Sequence, residues 1–450
     1  MPHRGLLAVA LAGTSLAAFA ATGVVHAQTR QTTVDADDAK ASQPKKTRKR
    51  VQAGKAVVAE PAQTPAAQPA KRPLISNDGK LTLGGAIRAR FDTRFNSGPS
   101  FQSSHFSFDT LAFKLKYDSS TVFGAAQWRF YGGSFIYGKK NGYDKYPGEV
   151  QFPMWAYAGY KITGQDSVVA GINQAPFGLT PYYGTSFIES LGFAQGLEEV
   201  YNLGVKYSHA DDRWTWDLGF YPTAAPDAIG ISRDSARYSA NMVKADSYVP
   251  NGSDNHERNM VVGRVEHTFF KNDVASFTGG LSAWWSQVHN LDNGRDGHKN
   301  LEAVHFSATW NNWGFKGIYV RQDIKAKNPG RDDMITIGGY DASYNLATRG
   351  NFFSGEVNYK LQQPVGGFDL MPYLNYSAFV KDKDAFKTSE RYILGVAWTW
   401  KKDPRLVIYS EGILGRNDPY VGAGQFTGGL AQGGDDKWKK AVIVNVGFYF

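Results

Sequence analysis

Lysine and arginine recur at every second position of several apolar segments, a pattern suited to electrostatic selection rather than to covalent chemistry. Arg88 and Arg90, for example, alternate with Ile87 and Phe91, as expected for a strand with two unlike faces. On the polar faces this alternation places basic residues at Arg88, Arg90, Arg94, Lys114, Lys116, Arg129, Lys161, Lys206, Arg213, Arg264, Lys360 and Arg391, and acidic residues at Asp92, Asp217, Glu266, Glu356 and Glu411. Basic residues dominate, so a water-filled space lined by these faces would favour anions.

The chain offers little for covalent catalysis or for a bound metal. It contains 0 cysteines, which excludes thiolate ligands and a cysteine nucleophile. Gly133–Lys139 matches most of a phosphate-binding P-loop, but Lys140 stands where Ser or Thr is required. The loop beginning at Asp292 has glycine where a calcium loop needs its second ligand. We therefore expect no catalytic residue, no metal and no cofactor.

The alternating segments are about ten residues long and continue from Lys80 to the C-terminus. Short turns and long loops separate them in alternation, which is the rhythm of an up-and-down antiparallel barrel. Met334–Asn345 also resembles a strand, but counting it would make the strand number odd. We assign it to a hairpin inside the sixth long loop. The predicted fold is all-β: a transmembrane up-and-down antiparallel β-barrel of about 16 strands.

The N-terminal region is predicted to lie outside the barrel. Residues 1–27 have one early arginine, an apolar stretch and small residues before position 28, as in a signal peptide for export. Residues 28–73 are rich in Ala, Pro and Lys and are expected to be a disordered basic tail, which carries most of the net charge of +9. Export argues against nucleic-acid binding by Lys45–Arg50. The barrel is assigned to residues 74–450.

Two short stretches resemble those of a known family. The end of the chain, Val446–Phe450, alternates to a terminal aromatic residue and resembles the assembly signal of Gram-negative outer-membrane proteins, with Phe448 and Phe450 as its aromatic positions. Gly171–Gly178 is similar to the G-x-x-x-x-P-F-G stretch of Gram-negative porins. Together they resemble the phosphate-selective porin O and P family over roughly residues 81–450.

The resemblance implies that a third long loop folds into the lumen and narrows it. The corresponding segment, Phe177–Glu199, contains no Arg or Lys. Phosphate-selective members carry basic residues at the constriction, so this loop departs from the family pattern. The residues expected to form the constriction are Pro176, Phe177, Gly178, Tyr182, Tyr183, Phe187 and Glu189.

The function implied by the resemblance is passive diffusion of small hydrophilic solutes across the outer membrane, with a preference for anions that could include phosphate. The expected partners are outer-membrane lipid and lipopolysaccharide, the barrel assembly machinery through the C-terminal strand, and two further copies in a homotrimer. A receptor or adhesin that acts through its long external loops is the alternative. A barrel lipase would need a serine beside His267 or His305, and nothing in the sequence singles out such a pair.

Overall fold

The computed structural model describes residues 78–95, 104–132, 148–361, 365–422 and 424–450. The predicted signal peptide (1–27) and basic tail (28–73) lie outside this part of the chain, as does the side chain of Arg94. Within it, none of the helices is both long and apolar enough to cross a membrane.

Nineteen strands and one short helix make up the regular structure of the described residues. The strands are β1 Lys80–Phe95, β2 Ser104–Asp118, β3 Val122–Tyr131, β4 Val150–Lys161, β5 Asp166–Gln174, β6 Tyr201–Ala210, β7 Trp214–Ala224, β8 Asn241–Met242, β9 Asn255–Lys271, β10 Ala275–Asn290, β11 Asp296–Trp310, β12 Trp313–Lys325, β13 Met334–Gly339, β14 Ala342–Ala347, β15 Arg349–Tyr359, β16 Phe368–Lys381, β17 Ser389–Trp400, β18 Leu406–Arg416 and β19 Trp438–Tyr449. The helix α1 spans Leu191–Gln195.

All strands except β8, β13 and β14 form one closed antiparallel barrel, in which each strand pairs with its neighbours along the chain and β1 closes against β19. The predicted fold is thereby confirmed, including the count of 16. At the closing seam, Gly85 and Phe450 exchange two backbone hydrogen bonds of 2.7 and 3.0 Å. Closure leaves no unpaired strand edge along the wall.

The predicted hairpin inside the sixth long loop is also confirmed. Strands β13 and β14 pair with each other, and β8 from an earlier loop adds a third strand, which the sequence did not suggest. The eighth long loop (L8, residues 417–437) extends this sheet, because the Asn345 and Ala347 amides donate to carbonyls of Thr427 and Leu430 at 2.9 Å. The three loops thus form a folded cap at the long-loop end of the barrel.

The two faces of the wall differ as the alternation predicts. Large apolar side chains such as Leu218, Leu281 and Phe353 are exposed on the outside. Tryptophans gather near the short turns, where Trp214 and Trp310 are 47% and 56% exposed. An apolar outer belt edged by aromatic residues is typical of barrels that sit in lipid.

The third long loop (L3, residues 175–200, including α1) lies inside the barrel, as predicted. Its residues 191–200 are all buried. They pack with the cap and with the inner faces of β10, β12, β15 and β16, including the fully buried Phe352 and Phe379. The main hydrophobic core is therefore inside the barrel and packs L3 against β10, β12, β15 and β16. A cavity remains between L3 and the inner faces of β1, β2 and β3.

Candidate functional site: the passage between L3 and the barrel wall

Carboxylates of the barrel wall hold L3 by its backbone. Glu411 on β18 accepts hydrogen bonds from the amides of Phe187 and Ile188 at 2.5 and 3.2 Å. Glu356 on β15 accepts one from the Thr185 amide at 2.5 Å. Both glutamates face inward, as predicted, but they are only 1% and 5% exposed. Because L3 covers them, they act as loop anchors and do not line the passage.

Arg391 on β17 has a similar role with the opposite charge. It forms two hydrogen bonds with the Asp418 carboxylate, at 2.6 and 2.8 Å, and is itself fully buried. Its Nη1 also donates to the carbonyls of Ile188, Glu189 and Ser190, at 3.0 to 3.4 Å. The prediction that Arg391 lines the pore is wrong, because this guanidinium ties L3 and L8 to the wall.

Within L3 a buried carboxylate organises the chain. Glu198 accepts hydrogen bonds from the Tyr183 amide at 2.6 Å and from the Ser190 hydroxyl at 2.6 Å. Ser190 in turn caps the N-terminus of α1 by accepting from the Gly192 amide. Burial raises the pKa of Glu198 to about 7. The segment that borders the passage is therefore braced from within as well as from the wall.

Across the passage from L3, arginines project from the wall formed by β1, β2 and β3. Arg88 and Arg90 lie on the inner face of β1 and are flanked by acids: the Arg88 Nε is 3.0 Å from Asp109, and the Arg90 Nε is 3.0 Å from Asp92. Arg90 also lies 3.4 Å from Asp109. Asp109 was missed by strict alternation, because a bulge in the β1–β2 ladder turns both Asp109 and Thr110 inward.

Arg129 on β3 is the third arginine of this wall. Its guanidinium stacks over the ring of Tyr238, 4.8 Å from the ring centroid, and donates to the Tyr131 hydroxyl at 3.1 Å. Lys114 and Lys116 follow on the inner face of β2, toward the short-turn end. In the described part of the chain, no carboxylate lies within ion-pair distance of Arg129, Lys114 or Lys116. These three cations give the wall its excess positive charge.

Two predicted constriction residues of L3 border the passage opposite this wall. The ring of Phe187 lies 5.3 Å from the Arg88 guanidinium carbon and 5.9 Å from that of Arg90. Glu189 borders the same cavity together with Arg88, Arg90 and Arg129. The passage at this level is therefore the space between L3 and the basic wall.

Glu189 belongs to a group of acids and phenols from several loops. The Tyr238 hydroxyl lies 3.4 Å from Glu189 and 2.5 Å from Glu199, so it bridges the two carboxylates. Burial, together with the nearby Glu199, raises the pKa of Glu189 well above the usual range of a carboxyl, while Arg129 opposes this shift. The charge of Glu189 in the passage therefore depends on pH.

Three of the other predicted constriction residues, Phe177, Gly178 and Tyr183, contact β10 and β15 rather than the basic wall. Phe177 packs against Trp284, the Gly178 amide donates to Ser282 at 3.0 Å, and Tyr183 packs against Phe352. Pro176, which precedes Phe177, is also buried. The Tyr182 carbonyl accepts a hydrogen bond from Lys316 at 2.9 Å, whereas the Tyr182 phenol interacts electrostatically with Arg129 and Glu189. Phe177, Gly178 and Tyr183 therefore hold L3 against β10 and β15, and their prediction as constriction residues is wrong. The role of Tyr182 at the constriction stays a prediction.

Several predicted lumen residues form one inward network below L3. Arg264 pairs with Asp217 at 3.2 Å and with Glu266 at 2.6 Å, and donates to the Gly178 carbonyl. Lys206 also faces inward and donates to the Gln174 carbonyl at 3.1 Å. His305 contacts Glu266 from the lumen side, whereas His267 packs on the outer face against Trp214. These orientations are the ones that alternation predicts.

Three predicted positions are not in the lumen proper. Arg213 and Lys360 lie in exposed short turns, one residue before β7 begins and one residue after β15 ends. The prediction is wrong for both residues because alternation holds only within a strand. Lys161 is the last residue of β4 and pairs with Asp118 at 2.7 Å at the short-turn rim. None of these three is part of the constriction.

At the other end of the chain, Phe448 and Phe450 are exposed on the outer face and stack with centroids 6.4 Å apart. Their suggested role as an assembly signal stays a prediction. Across the described ranges, no group of three or more His, Asp or Glu side chains is placed to hold a metal ion.

Solved structures of outer-membrane proteins share this architecture. The outer membrane channel DcaP of Acinetobacter baumannii is 10% identical, with a TM-score of 0.53 over 83% of this chain and 97% of that chain. The chain has the fold of an outer-membrane barrel. An anion-selective porin from Comamonas acidovorans (12% identity, TM-score 0.49) and a trimer form of OmpT from Vibrio cholerae (10%, 0.48) each match 83% of this chain and 100% of their own.

Comparison at the level of sequence gave no such match. No protein-family model matches the chain, and no curated protein matches it. The resemblance to the porin O and P family is therefore not confirmed at the level of that family, and the solved structures support the barrel fold alone.

Proposed function

We propose that this protein is an outer-membrane porin through which small hydrophilic solutes diffuse passively, with a preference for anions. The observation that carries the proposal is the passage between L3 and the basic wall. L3 is fixed to β15, β17 and β18 by Glu356, Arg391 and Glu411. The space it leaves is lined by guanidinium groups, and a charged constriction selects solutes by sign and size.

The preference for anions follows from which charges are compensated. Arg88 and Arg90 are balanced by Asp109 and Asp92. Arg129, Lys114 and Lys116 have no such acid in the part of the chain described, and they continue the positive wall toward the short turns. L3 adds no Lys or Arg. We therefore propose selection for negative charge in general, of which phosphate is one case.

The proposal also covers the location of the protein in the outer membrane, its export and assembly, and its oligomeric state. The apolar outer belt fits outer-membrane lipid and lipopolysaccharide, and residues 1–27 would direct export. Phe448 and Phe450 would be read by the barrel assembly machinery, and three copies would form a homotrimer. Chemical cross-linking of the detergent-solubilised protein tests the last point, since a ladder ending at three is expected.

The decisive experiment is a planar-bilayer recording of the refolded mature chain. We expect stepwise conductance and, under a KCl gradient, a reversal potential of the sign that reports chloride preference. Potassium preference would contradict the reading of the basic wall while retaining a porin. Folded protein that produces no conductance steps would contradict the porin proposal and favour a receptor or adhesin. Folding is verified separately by the heat-dependent gel migration of the barrel.

A further inference from the structure

The passage is bordered by aromatic rings as well as by arginines, and the rings come from separate parts of the chain. Tyr131 is on β3, Phe193 is in L3, Tyr238 comes from the loop before β9, and Tyr340 sits at the β13–β14 turn. Ring centroids are 5.0 Å apart for Tyr131 and Tyr340, 5.5 Å for Tyr238 and Tyr340, and 5.5 Å for Phe193 and Tyr238. These distances are those of an interacting aromatic cluster.

The cluster and the basic wall meet directly. Arg129 stacks over Tyr238, and on the other side of the passage Phe187 lies beside Arg88 and Arg90. Each guanidinium thus stands next to a ring rather than in an all-polar surface. A planar guanidinium can bind a carboxylate through parallel hydrogen bonds, and the adjacent ring can stack on a flat apolar group.

A lining of rings and arginines favours anions that carry a ring over small inorganic anions. A small inorganic anion in this passage gives up part of its hydration to ring faces that cannot replace it. An anion that carries a ring meets the same faces favourably, because its apolar body leaves water while its charge stays on the arginines. The placement of rings beside arginines therefore carries information about the solute that the charge alone does not.

We infer that the passage is a binding site for ring-bearing organic anions, with carboxylates as the chemical class, so that these solutes interact with it more strongly than simple anions do. This inference rests on the proposed porin function and specifies its substrate class. Phe187 and Tyr340 are the positions that best report it, since both rings border the cavity and neither supplies its charge.

The test uses three probes added to a single channel that carries chloride current. Benzoate has both ring and charge, acetate has only the charge, and benzamide has only the ring. We expect benzoate to reduce the current at a concentration about tenfold lower than either of the others, the scale of one or two aromatic contacts. Equal effects of benzoate and acetate in a conducting, chloride-selective channel would overturn this inference and leave the porin proposal intact.

Variants locate the effect. Phe187→Leu and Tyr340→Leu keep an apolar side chain and should each weaken the benzoate effect about fivefold, when the effect is expressed relative to the chloride current of the same variant without benzoate. Phe353→Leu is the matched control, since this ring lies on the outer face, 42% exposed, and should change nothing. A benzoate effect that survives both substitutions overturns the site, and folded protein without any conductance overturns both proposals.

Discussion

Two arcs of the same barrel use inward charges for different purposes. On the arc β15–β18, Glu356, Glu411 and Arg391 are buried against L3 and satisfied by its backbone. On the arc β1–β3, Arg88 and Arg129 face the open passage. The residue types and their alternation are alike in both arcs. What separates an anchor from a pore-lining residue is whether the backbone of L3 hydrogen-bonds to it.

The largest test of this contrast removes an anchor. Arg391→Met leaves Asp418 buried without its partner, since the two side chains are 1% and 0% exposed. We expect the free energy of unfolding in urea to fall by about 3–5 kcal/mol. Arg405→Met is the matched control: it also breaks an Arg–Asp pair, with Asp403, but the arginine is 59% exposed, so the loss should be about 0–1 kcal/mol. Equal losses would contradict the assignment of Arg391 as an anchor.

A second substitution weakens the attachment of L3 and keeps a side chain of nearly the same shape. Glu411→Gln weakens acceptance from the Phe187 and Ile188 amides and from the Tyr373 hydroxyl, which donates at 2.5 Å. We expect a loss of about 1–3 kcal/mol in the free energy of unfolding and frequent transitions between current levels in bilayer recordings. A quiet single-level channel would show that L3 does not depend on this anchor.

On the open arc, a charge change should alter selectivity and leave stability almost unaffected. One unit charge about 6 Å from a permeating ion in a water-like dielectric contributes ~0.7 kcal/mol of attraction to chloride and an equal repulsion of potassium, so Arg129→Gln should lower the chloride-to-potassium permeability ratio about tenfold. Reversal potentials measure this ratio. Arg213→Gln and Lys360→Gln, in exposed turns, are the controls and should leave it unchanged. An equal effect from either control would refute the assigned passage.

The smallest effect concerns pH. Because burial and Glu199 raise the pKa of Glu189, this carboxyl is protonated at low pH and becomes an anion only as pH rises through the raised value. Its negative charge then opposes Arg129, so chloride preference should decline as pH increases. Glu189→Gln should flatten this dependence when reversal potentials are recorded from pH 5 to pH 9. A slope that persists in Glu189→Gln would assign the titration to another group.

The alternation of apolar and polar residues predicts most of the barrel but only part of the passage. Period-two alternation predicts the strands and the inward position of Arg88, Arg90 and Glu411, because it is a property of each strand alone. It fails at Asp109, where a bulge breaks the period. It also fails at Lys360, which lies just beyond the end of a strand.

The rest of the site depends on contacts between distant segments. Tyr238 and Tyr340 reach the passage from loops with no strand pattern to indicate their direction. Likewise, nothing near Glu411 in sequence signals that Phe187 will cover it, since 224 positions separate the two. Such pairings are set by how L3 and the cap pack together, and a single sequence does not record that packing.

The attachment of L3 to one side of the barrel also has a mechanical consequence. Hydrogen bonds link the loop to β10, β15, β16 and β18. L3 therefore stiffens this part of the barrel wall from the inside. We expect lateral pressure from a surrounding lipid bilayer to deform the arc β1–β3, which L3 contacts through the Phe187 ring, more easily than the arc to which L3 is hydrogen-bonded. This arc is also the one that borders the passage, so we expect membrane tension to change the width of the pore.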